Sequence, residues 1–269
     1  MRSRHIHSGP SSFLRYRHKG EGNALLLLHG FPENGDLWVK IGERLSKDYR
    51  VIIPDIPGSG KSKLEQENVS LFNLGLGIYD ICITEEIEKV VLIGHSMGGY
   101  INLAIADFFP ERVVGLSLVH STAKADSEEK KETRRKTIKL IEKGGKKPFV
   151  QQMIPSLFSE SYKKKHPEKI EAQIESGLAM KDESMIAYYK AIMMRPDSRD
   201  VLKNAPFPVQ MILGEEDNLL PINSMTQQTH LSNVNFVSIY PQCGHMSMLE
   251  QPEKLYNDLK MFADYCYRS

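Results

Sequence analysis

Short apolar segments that end near glycine or proline limit the fold of this chain more than any other feature of its sequence. Segments that are apolar at nearly every position predict strands covered on both faces, as in a parallel sheet between two helix layers. They are 24–28, 50–55, 89–94, 113–119, 209–214 and 234–240. Two N-terminal segments, 5–7 and 13–18, alternate polar with apolar residues. The sequence therefore predicts an α/β fold with a mostly parallel, eight-stranded sheet and an antiparallel N-terminal edge.

Helical patterns lie between several of these segments. Pro110 ends one pattern, and Pro252 stands just before the last one, where proline favours a helix start. The helices predicted in this way are 37–47, 71–87, 98–109 and 253–265. The alternation of strand and helix is typical of an open sheet flanked by helices.

The region from 121 to 204 interrupts that alternation. It has no convincing strand pattern, and its segments 170–180 and 184–194 have the spacing of amphipathic helices. The α/β pattern resumes at Pro208. We therefore predict one α/β core, formed by residues 1–120 and 205–269, and a helical cap, or lid, formed by residues 121–204 over the carboxyl edge of the sheet.

The charge balance excludes some function classes. The 269 residues include 35 Lys and Arg against 34 Asp and Glu, a net charge of +1 that does not suit a global nucleic-acid clamp. We expect a small-molecule substrate and no nucleic-acid partner. The segment 124–147 nevertheless holds ten basic and five acidic residues. A solvated helix face explains that bias, and a docking patch for an acidic partner is the alternative.

Compartment and assembly are less constrained. The three cysteines are odd in number and widely spaced, which favours a reducing compartment over a disulfide framework. No signal-peptide pattern occurs near Met1, and the most apolar short run, 24–28, is far below the roughly 20 residues of a membrane helix. We therefore predict a cytoplasmic protein with no membrane span. The oligomeric state, monomer or homodimer, stays open.

The motif that carries chemistry is Gly94-His95-Ser96-Met97-Gly98-Gly99. It follows a predicted strand and precedes a predicted helix, which is the context of a nucleophile elbow. Gly94 and Gly98 remove side chains where the strand and the helix approach each other closely. The sharp turn holds the Ser96 hydroxyl out at the edge of the sheet, next to the free N–H groups of a helix N-terminus.

A nucleophilic serine needs a base, and the base needs an acid that orients it. Asp217 follows the strand 209–214, and His245 follows the strand 234–240. Both lie at the carboxyl ends of strands, where the pocket of an open α/β sheet is found. Glu215 and Glu216 compete with Asp217 as the acid, but the spacing from Gly214 to Pro221 favours Asp217. The sequence thus predicts a catalytic triad of Ser96, Asp217 and His245.

At this point the sequence resembles the α/β-hydrolase superfamily, in its cap-bearing branch of serine hydrolases and carboxylesterases. The resemblance covers nearly all of the chain. It rests on 29–32, 55–62, 94–99, Gly214 with Asp217 and Pro221, and 244–245. It implies an oxyanion hole formed by the backbone N–H groups of Phe31 and Met97, and it implies no cofactor.

Other residues near these motifs receive supporting roles. The resemblance implies that His29 and His95, with Gly30, support the active loops by hydrogen bonds, in preference to transferring protons. His120, Trp38 and Met246 are candidates for the substrate pocket. Residues 120–122 contain no acid, so the alternative acid position of some relatives is empty.

We expect an enzyme that cleaves a small carboxylic ester, a lactone or a thioester through an acyl-enzyme. Because the elbow residue is Ser96, the resemblance argues against dehalogenase and epoxide hydrolase activity, which use a carboxylate there. A C–C bond hydrolase, an amidase or a lyase on the same triad stays open, as does a ligand receptor on a hydrolase scaffold.

Two weaker motifs are not expected to bind ligands. The segment 58–62 resembles the end of a nucleotide-binding loop, but Asp55 stands where that motif requires glycine. Cys243 and His245 have no second cluster of Cys and His that could complete a tetrahedral metal site. The sequence therefore predicts neither a nucleotide site nor a metal site.

Overall fold

The computed structural model describes residues 1–9, 11–65 and 69–268. One eight-stranded sheet has the strand order β1-β2-β4-β3-β5-β6-β7-β8. The strands are β1 (Arg2–Ser8), β2 (Ser11–Lys19), β3 (Ala24–Leu28), β4 (Arg50–Pro54), β5 (Val90–His95), β6 (Val113–Val119), β7 (Val209–Gly214) and β8 (Asn235–Tyr240). β2 pairs antiparallel with β1 and with β4, and the strands from β4 to β8 pair in parallel. The predicted mostly parallel sheet with an antiparallel N-terminal edge is confirmed.

Helices cover both faces of this sheet. They are α1 (Val39–Leu45), α2 (Leu71–Thr84), α3 (Met97–Phe108), α4 (Glu128–Glu142), α5 (Lys146–Ser156), α6 (Glu160–Lys165), α7 (Pro167–Ala179), α8 (Asp182–Met194), α9 (Arg199–Lys203), α10 (Ile222–Met225), α11 (Ser247–Glu250) and α12 (Pro252–Arg268). Within the described ranges, no helix is both long and apolar enough to cross a membrane.

The side chains of β3 show how the two helix layers are separated. Leu26 and Leu28 join a buried cluster with residues of α2 and α3, whereas Leu25 and Leu27 join a second cluster with residues of α1 and α12. Successive side chains of a strand point to opposite faces, so an unbroken apolar strand serves both clusters at once. This is the physical reason why the strand reads as a continuous apolar run.

Residues 120–208, all of which are described, connect β6 to β7 through helices α4 to α9 and contain no strand. Ser127 and Ser159 cap α4 and α6 by accepting hydrogen bonds from backbone N–H groups. Buried side chains of this insertion, such as Ile138 and Ile154, join the cluster that also contains Leu26. The Tyr188 hydroxyl donates to the carbonyl of Pro57 at 2.7 Å. The insertion is therefore packed directly onto the sheet layer.

Candidate active site

The turn between β5 and α3 places Ser96 in a strained backbone conformation. β5 ends at His95, α3 begins at Met97, and Ser96 between them has φ 49° and ψ −118°. The approach is close on both sides of the turn. A Cβ atom on Gly94 would lie 2.5 Å from the Gly99 nitrogen, and one on Gly98 would lie 2.6 Å from the His29 carbonyl oxygen. Any larger residue at these two positions would force the strand and the helix apart.

Asp217 and His245 meet at the ends of neighbouring strands. The backbone N–H of Glu216, in the loop after β7, donates to the Cys243 carbonyl, in the loop after β8, at 2.9 Å. With the two loops joined in this way, His245 Nδ1 lies 2.7 Å from Asp217 Oδ2, and both side chains are buried. Glu215 is exposed and Glu216 is half-buried, so neither takes the place of Asp217.

Hydrogen bonds and charge keep Asp217 ionised. Its Oδ1 accepts backbone hydrogen bonds from Leu219 at 2.9 Å and from Leu220 at 3.0 Å. Burial alone would raise the pKa of Asp217, but the charge of His245 and the contacts with His120 and His245 outweigh it and hold the pKa below its usual range. A carboxylate in this state fixes the Nδ1–H tautomer of His245.

His245 is buried with one nitrogen in use. Burial alone would lower its pKa, but the charge of Asp217 and the hydrogen bond to it raise the pKa above the ordinary value. Its Nε2 is buried and has no hydrogen-bond partner among the described residues. Ser96 and His245 line the same cavity. The geometry therefore leaves a basic nitrogen free on the side of the serine.

His120 lies on the other side of the acid. It follows β6 with a positive φ of 46°, and its Nδ1 is 3.4 Å from Asp217 Oδ2. Burial lowers the pKa of His120 to about 4, against the opposing effect of Asp217, so the ring is neutral at neutral pH. Asp217 thus lies between a neutral histidine and the histidine that faces the serine.

Two buried histidines hold the loops around the site. His29 donates from Nδ1 to the Gly30 carbonyl at 2.7 Å, and its Nε2 accepts from the backbone N–H of Ile56 at 3.0 Å. His95 donates from Nε2 to the His245 carbonyl at 2.9 Å. Its Nδ1 lies 3.0 Å from Glu33 Oε2, which also accepts from the Gly30 N–H at 2.8 Å. Glu33 and His95 thus connect the loop after β3 to the loop that carries His245.

The contact between Glu33 and His95 is buried. The His245 carbonyl accepts only, so His95 must carry a hydrogen on Nε2. Burial raises the pKa of Glu33, but the charge and the hydrogen bond of His95 outweigh burial and lower the pKa overall. The lowered pKa favours the carboxylate form of Glu33, which accepts the hydrogen bond from the Gly30 N–H at 2.8 Å. The His95 ring centroid is 4.9 Å from that of His245.

A cavity of about 430 Å³ opens onto Ser96 and His245. Phe31 and Met97, whose N–H groups are predicted as the oxyanion hole, line it too. Met97 is the first residue of α3, a position whose N–H has no acceptor inside the helix. Aromatic and aliphatic side chains form much of the remaining wall: Tyr100, Phe149, Met153, Tyr189, Ile192, Leu219 and Leu220.

The three predicted pocket residues do not line this cavity. Trp38 is fully buried in the cluster of α1 and α12, on the other face of the sheet. Met246 is buried in the cluster of the α2–α3 layer, and His120 is buried against Asp217. The prediction that these three residues form the pocket is therefore wrong. The cavity wall is formed instead by α3, the loop after β7 and the helices of the insertion.

Comparisons with known proteins agree with this architecture. The family model for the alpha/beta hydrolase fold matches residues 23–252. The chain belongs to the alpha/beta hydrolase fold family. A solved structure of a thermophilic esterase from Thermogutta terrifontis, with malate bound, is 29% identical, has a TM-score of 0.92 and matches over 99% of both chains.

The relatives of this alpha/beta hydrolase fall into two groups, which differ in how much of each chain the match covers. An Acinetobacter baylyi 3-oxoadipate enol-lactonase is 27% identical over 86% of this chain and 85% of its own length. Uncharacterized proteins of Mycobacterium bovis and Mycobacterium tuberculosis are 35% identical over 104 residues. That match covers 39% of this chain, and the chain spans 30% of the length of those mycobacterial proteins.

One wall of the cavity in this alpha/beta hydrolase carries charges that the sequence motifs did not indicate. Asp126 is buried and pairs with Arg134 Nε at 2.7 Å and with an Arg195 Nη at 2.9 Å. The Arg134 guanidinium lies 5.0 Å from the Tyr189 ring centroid, and Lys130 also lines the cavity. Only the basic bias of segment 124–147 pointed towards this wall, and it did not distinguish Lys130 and Arg134 from the solvated lysines.

Two local arrangements resemble ligand sites, one for a metal and one for a nucleotide. Within the described part of the chain, His120, Asp217 and His245 could converge on a metal, because their donor atoms lie within 4.8 Å of one another. The 2.7 Å contact of Asp217 with His245 is a hydrogen-bond distance, shorter than the roughly 3.3 Å between ligands of tetrahedral zinc. In the loop 58–62, the Lys61 N–H donates to Asp55 at 2.9 Å, so that amide is not directed at a phosphate.

Proposed function

We propose that this alpha/beta hydrolase is a serine hydrolase that cleaves a small carboxylic ester or lactone through an acyl-enzyme. One observation carries the proposal. One cavity is lined by a serine held at positive φ and by a histidine. That histidine is hydrogen-bonded to a buried aspartate through one nitrogen, and its other nitrogen has no partner among the described residues. That arrangement has the parts which nucleophilic acyl transfer requires.

In the proposed first step, His245 Nε2 takes the Ser96 proton as the serine oxygen attacks the carbonyl carbon of the substrate. Asp217 keeps the proton of the imidazole on Nδ1 and stabilises the imidazolium that forms. The tetrahedral intermediate then collapses: the bond from the carbonyl carbon to the leaving oxygen breaks, the imidazolium protonates that oxygen, and the acyl group stays on Ser96. A water, deprotonated by the same nitrogen, releases the acid and restores the serine.

The developing oxyanion is proposed to bind the N–H groups of Phe31 and Met97. Each such donor contributes about 3–4 kcal/mol to stabilising the transition state in enzymes where a donor has been removed. The N-terminus of α3 adds a partial positive charge at the same place. The hydrogen bonds of His29 and Glu33 to Gly30 support the loop that carries Phe31.

The relatives support an ester or lactone in preference to other acyl compounds. The Thermogutta protein is an esterase, and the Acinetobacter protein is an enol-lactonase. We also propose that residues 121–204 act as a cap on a core of residues 1–120 and 205–269. Support comes from the cavity wall, in which α4, α5 and α8 of the insertion face Ser96.

The deciding experiment combines turnover with covalent labelling. With a short 4-nitrophenyl ester as substrate, Ser96→Ala should lower kcat by at least about 10⁴-fold, because no other group replaces the nucleophile. Ser156→Ala, which removes an exposed hydroxyl on α5, is the matched control and should retain full activity. A fluorophosphonate should label Ser96 alone, as located by mass spectrometry. Full turnover by Ser96→Ala, or an adduct on another residue, would overturn the mechanism.

A further inference from the structure

We propose that this cavity selects esters or lactones that carry a second, anionic group, a carboxylate, and that Lys130 binds it. The inference rests on the proposed hydrolase function and adds the class of substrate to it. It depends on the position of Lys130, on the charges around it and on the apolar side chains that line the same cavity.

Lys130 has an ammonium group without a counter-ion. It lies in the first turn of α4 and lines the cavity that contains Ser96 and His245. Its Nζ lies 3.4 Å from the Leu219 carbonyl oxygen, and no carboxylate of the described residues is within ion-pair distance. The next residue differs: Lys131 Nζ pairs with Glu128 at 2.8 Å. Lys130 is thus free to bind a carboxylate that enters the cavity.

The nearest buried acid is already neutralised. Asp126 uses one carboxylate oxygen for Arg134 and the other for Arg195, so two guanidinium groups share one negative charge. Glu129 adds a second negative charge at the exposed rim. Lys130 and Arg134 line the cavity with these two acids, and Arg195, outside the lining, pairs with Asp126. Counted with Arg195, the cluster therefore has three cations against two acids, a surplus of one positive charge. A substrate anion would balance it.

The surroundings of Lys130 agree with that surplus. Burial lowers its pKa, and the positive charges of Arg134 and Arg195 lower it further, against the opposing charges of Asp126 and Asp217. Lys130 lines the same cavity as Ser96 and His245. An anion bound beside the ammonium would stabilise its charged form and would occupy the cavity that Ser96 also lines.

The rest of the wall defines the body of the substrate. Phe149, Met153, Ile192 and Leu219 offer apolar surface in the same cavity. Methylene groups are stabilised by burial against these side chains. Three hydroxyl-bearing residues of the lining lie on the same segment as Lys130, at the N-cap of α4 or within it: Ser127, Thr133 and Thr137. The favoured substrate is therefore an ester or lactone with an apolar body that ends in a carboxylate.

A pair of esters that differ only in charge tests this proposal. Mono-4-nitrophenyl adipate has a free carboxylate, and methyl 4-nitrophenyl adipate is its neutral counterpart. The unsubstituted protein should have the higher kcat/KM for the anionic ester. Lys130→Met should lower the ratio of the two kcat/KM values by about tenfold, the effect of losing one charge-assisted contact. Lys130→Arg should retain most of the ratio, and Lys131→Met, the matched control, should leave it unchanged.

A binding measurement separates the two proposals. Titration calorimetry of adipate with Ser96→Ala protein should show a Kd that rises about tenfold when Lys130→Met is added. If neither ester is hydrolysed, the proposed function fails, and the adipate titration decides the role of Lys130 by itself. An unchanged ratio and an unchanged Kd in Lys130→Met would overturn the role of Lys130. The preference should also weaken as salt is raised, because the contact is electrostatic.

Discussion

The carboxyl edge of the sheet and the cavity wall of the insertion differ in the burial of their polar side chains. At the edge, Ser96 and His120 have positive φ, and the side chains of His29, His95, Asp217 and His245 are buried. At the wall, Lys130 is exposed and Arg134 is half-buried, and Asp126 is shared by two cations. Buried hydrogen bonds hold the side chains of the edge in place, whereas the charged side chains of the wall can contact a ligand in the cavity.

This difference suggests a division of labour. Buried hydrogen bonds at the edge fix distances, and a proton transfer depends on distances within about half an ångström. An exposed cation such as Lys130 at the wall tolerates small shifts of the anion that it binds. Changes at the edge should therefore lower kcat, whereas changes at the wall should act on KM and on the choice of substrate.

The largest expected effect after loss of Ser96, the proposed nucleophile, is at Asp217, the proposed acid. Asp217→Asn keeps the shape of the side chain but favours the wrong tautomer of His245, so kcat should fall by about 10⁴-fold. The acid limb of the pH profile should move as well. His245 must be neutral to accept a proton, and Asp217 raises its pKa above the ordinary value of 6.5. The acid limb of the unsubstituted protein should therefore lie at a pH higher than that value. In Asp217→Asn that limb should move to lower pH.

Initial rates between pH 5 and 9 give both quantities for this pair of proteins. An acid limb that stays in place in Asp217→Asn would show that another group controls the ionisation of His245. Asp258→Asn, an acid hydrogen-bonded to Tyr240 at 2.8 Å and remote from the cavity lining, is the control and should keep the unsubstituted pH profile.

A smaller effect is expected at Glu33, a positioning residue at the same edge. Glu33→Gln removes the carboxylate that binds both His95 and the Gly30 N–H, and so weakens the link from the Gly30 loop to the His245 loop. We expect kcat to fall about 10- to 100-fold with little change in KM. The charge of Glu33 also raises the pKa of His245, so the acid limb should move to lower pH, by less than in Asp217→Asn. A stability loss with an unmoved pH profile would instead assign Glu33 a purely structural role.

The smallest effect on rate is expected at the wall. Asp126→Asn leaves the guanidinium groups of Arg134 and Arg195 without a charged partner, which should lower the free energy of unfolding by about 2–3 kcal/mol. Urea unfolding measures that loss. For the neutral adipate ester, KM should change more than kcat. A fall in kcat as large as that of Glu33→Gln would remove the proposed distinction between edge and wall.

The sequence predicts the edge well and the wall poorly, for a physical reason. The turn at Ser96 and the strands before Asp217 and His245 depend on neighbours in the chain, so glycines and apolar runs mark them. The contact of Arg195 with Asp126 depends on how helices pack over 69 residues of chain, and no local pattern records it. Trp38 shows the same limit, since its position near the motif 29–32 did not reveal which face of the sheet it enters.

The backbone of Ser96 has a consequence for any attempt to convert this scaffold to another chemistry. The combination of φ 49° and ψ −118° lies outside the left-handed helical region, so it is strained for any residue with a Cβ and most costly for β-branched ones. Cysteine and aspartate could therefore replace the serine without rebuilding the turn, and threonine could not, although its hydroxyl is chemically closest. The backbone conformation of residue 96 therefore limits which nucleophiles can be introduced there, independently of their reactivity.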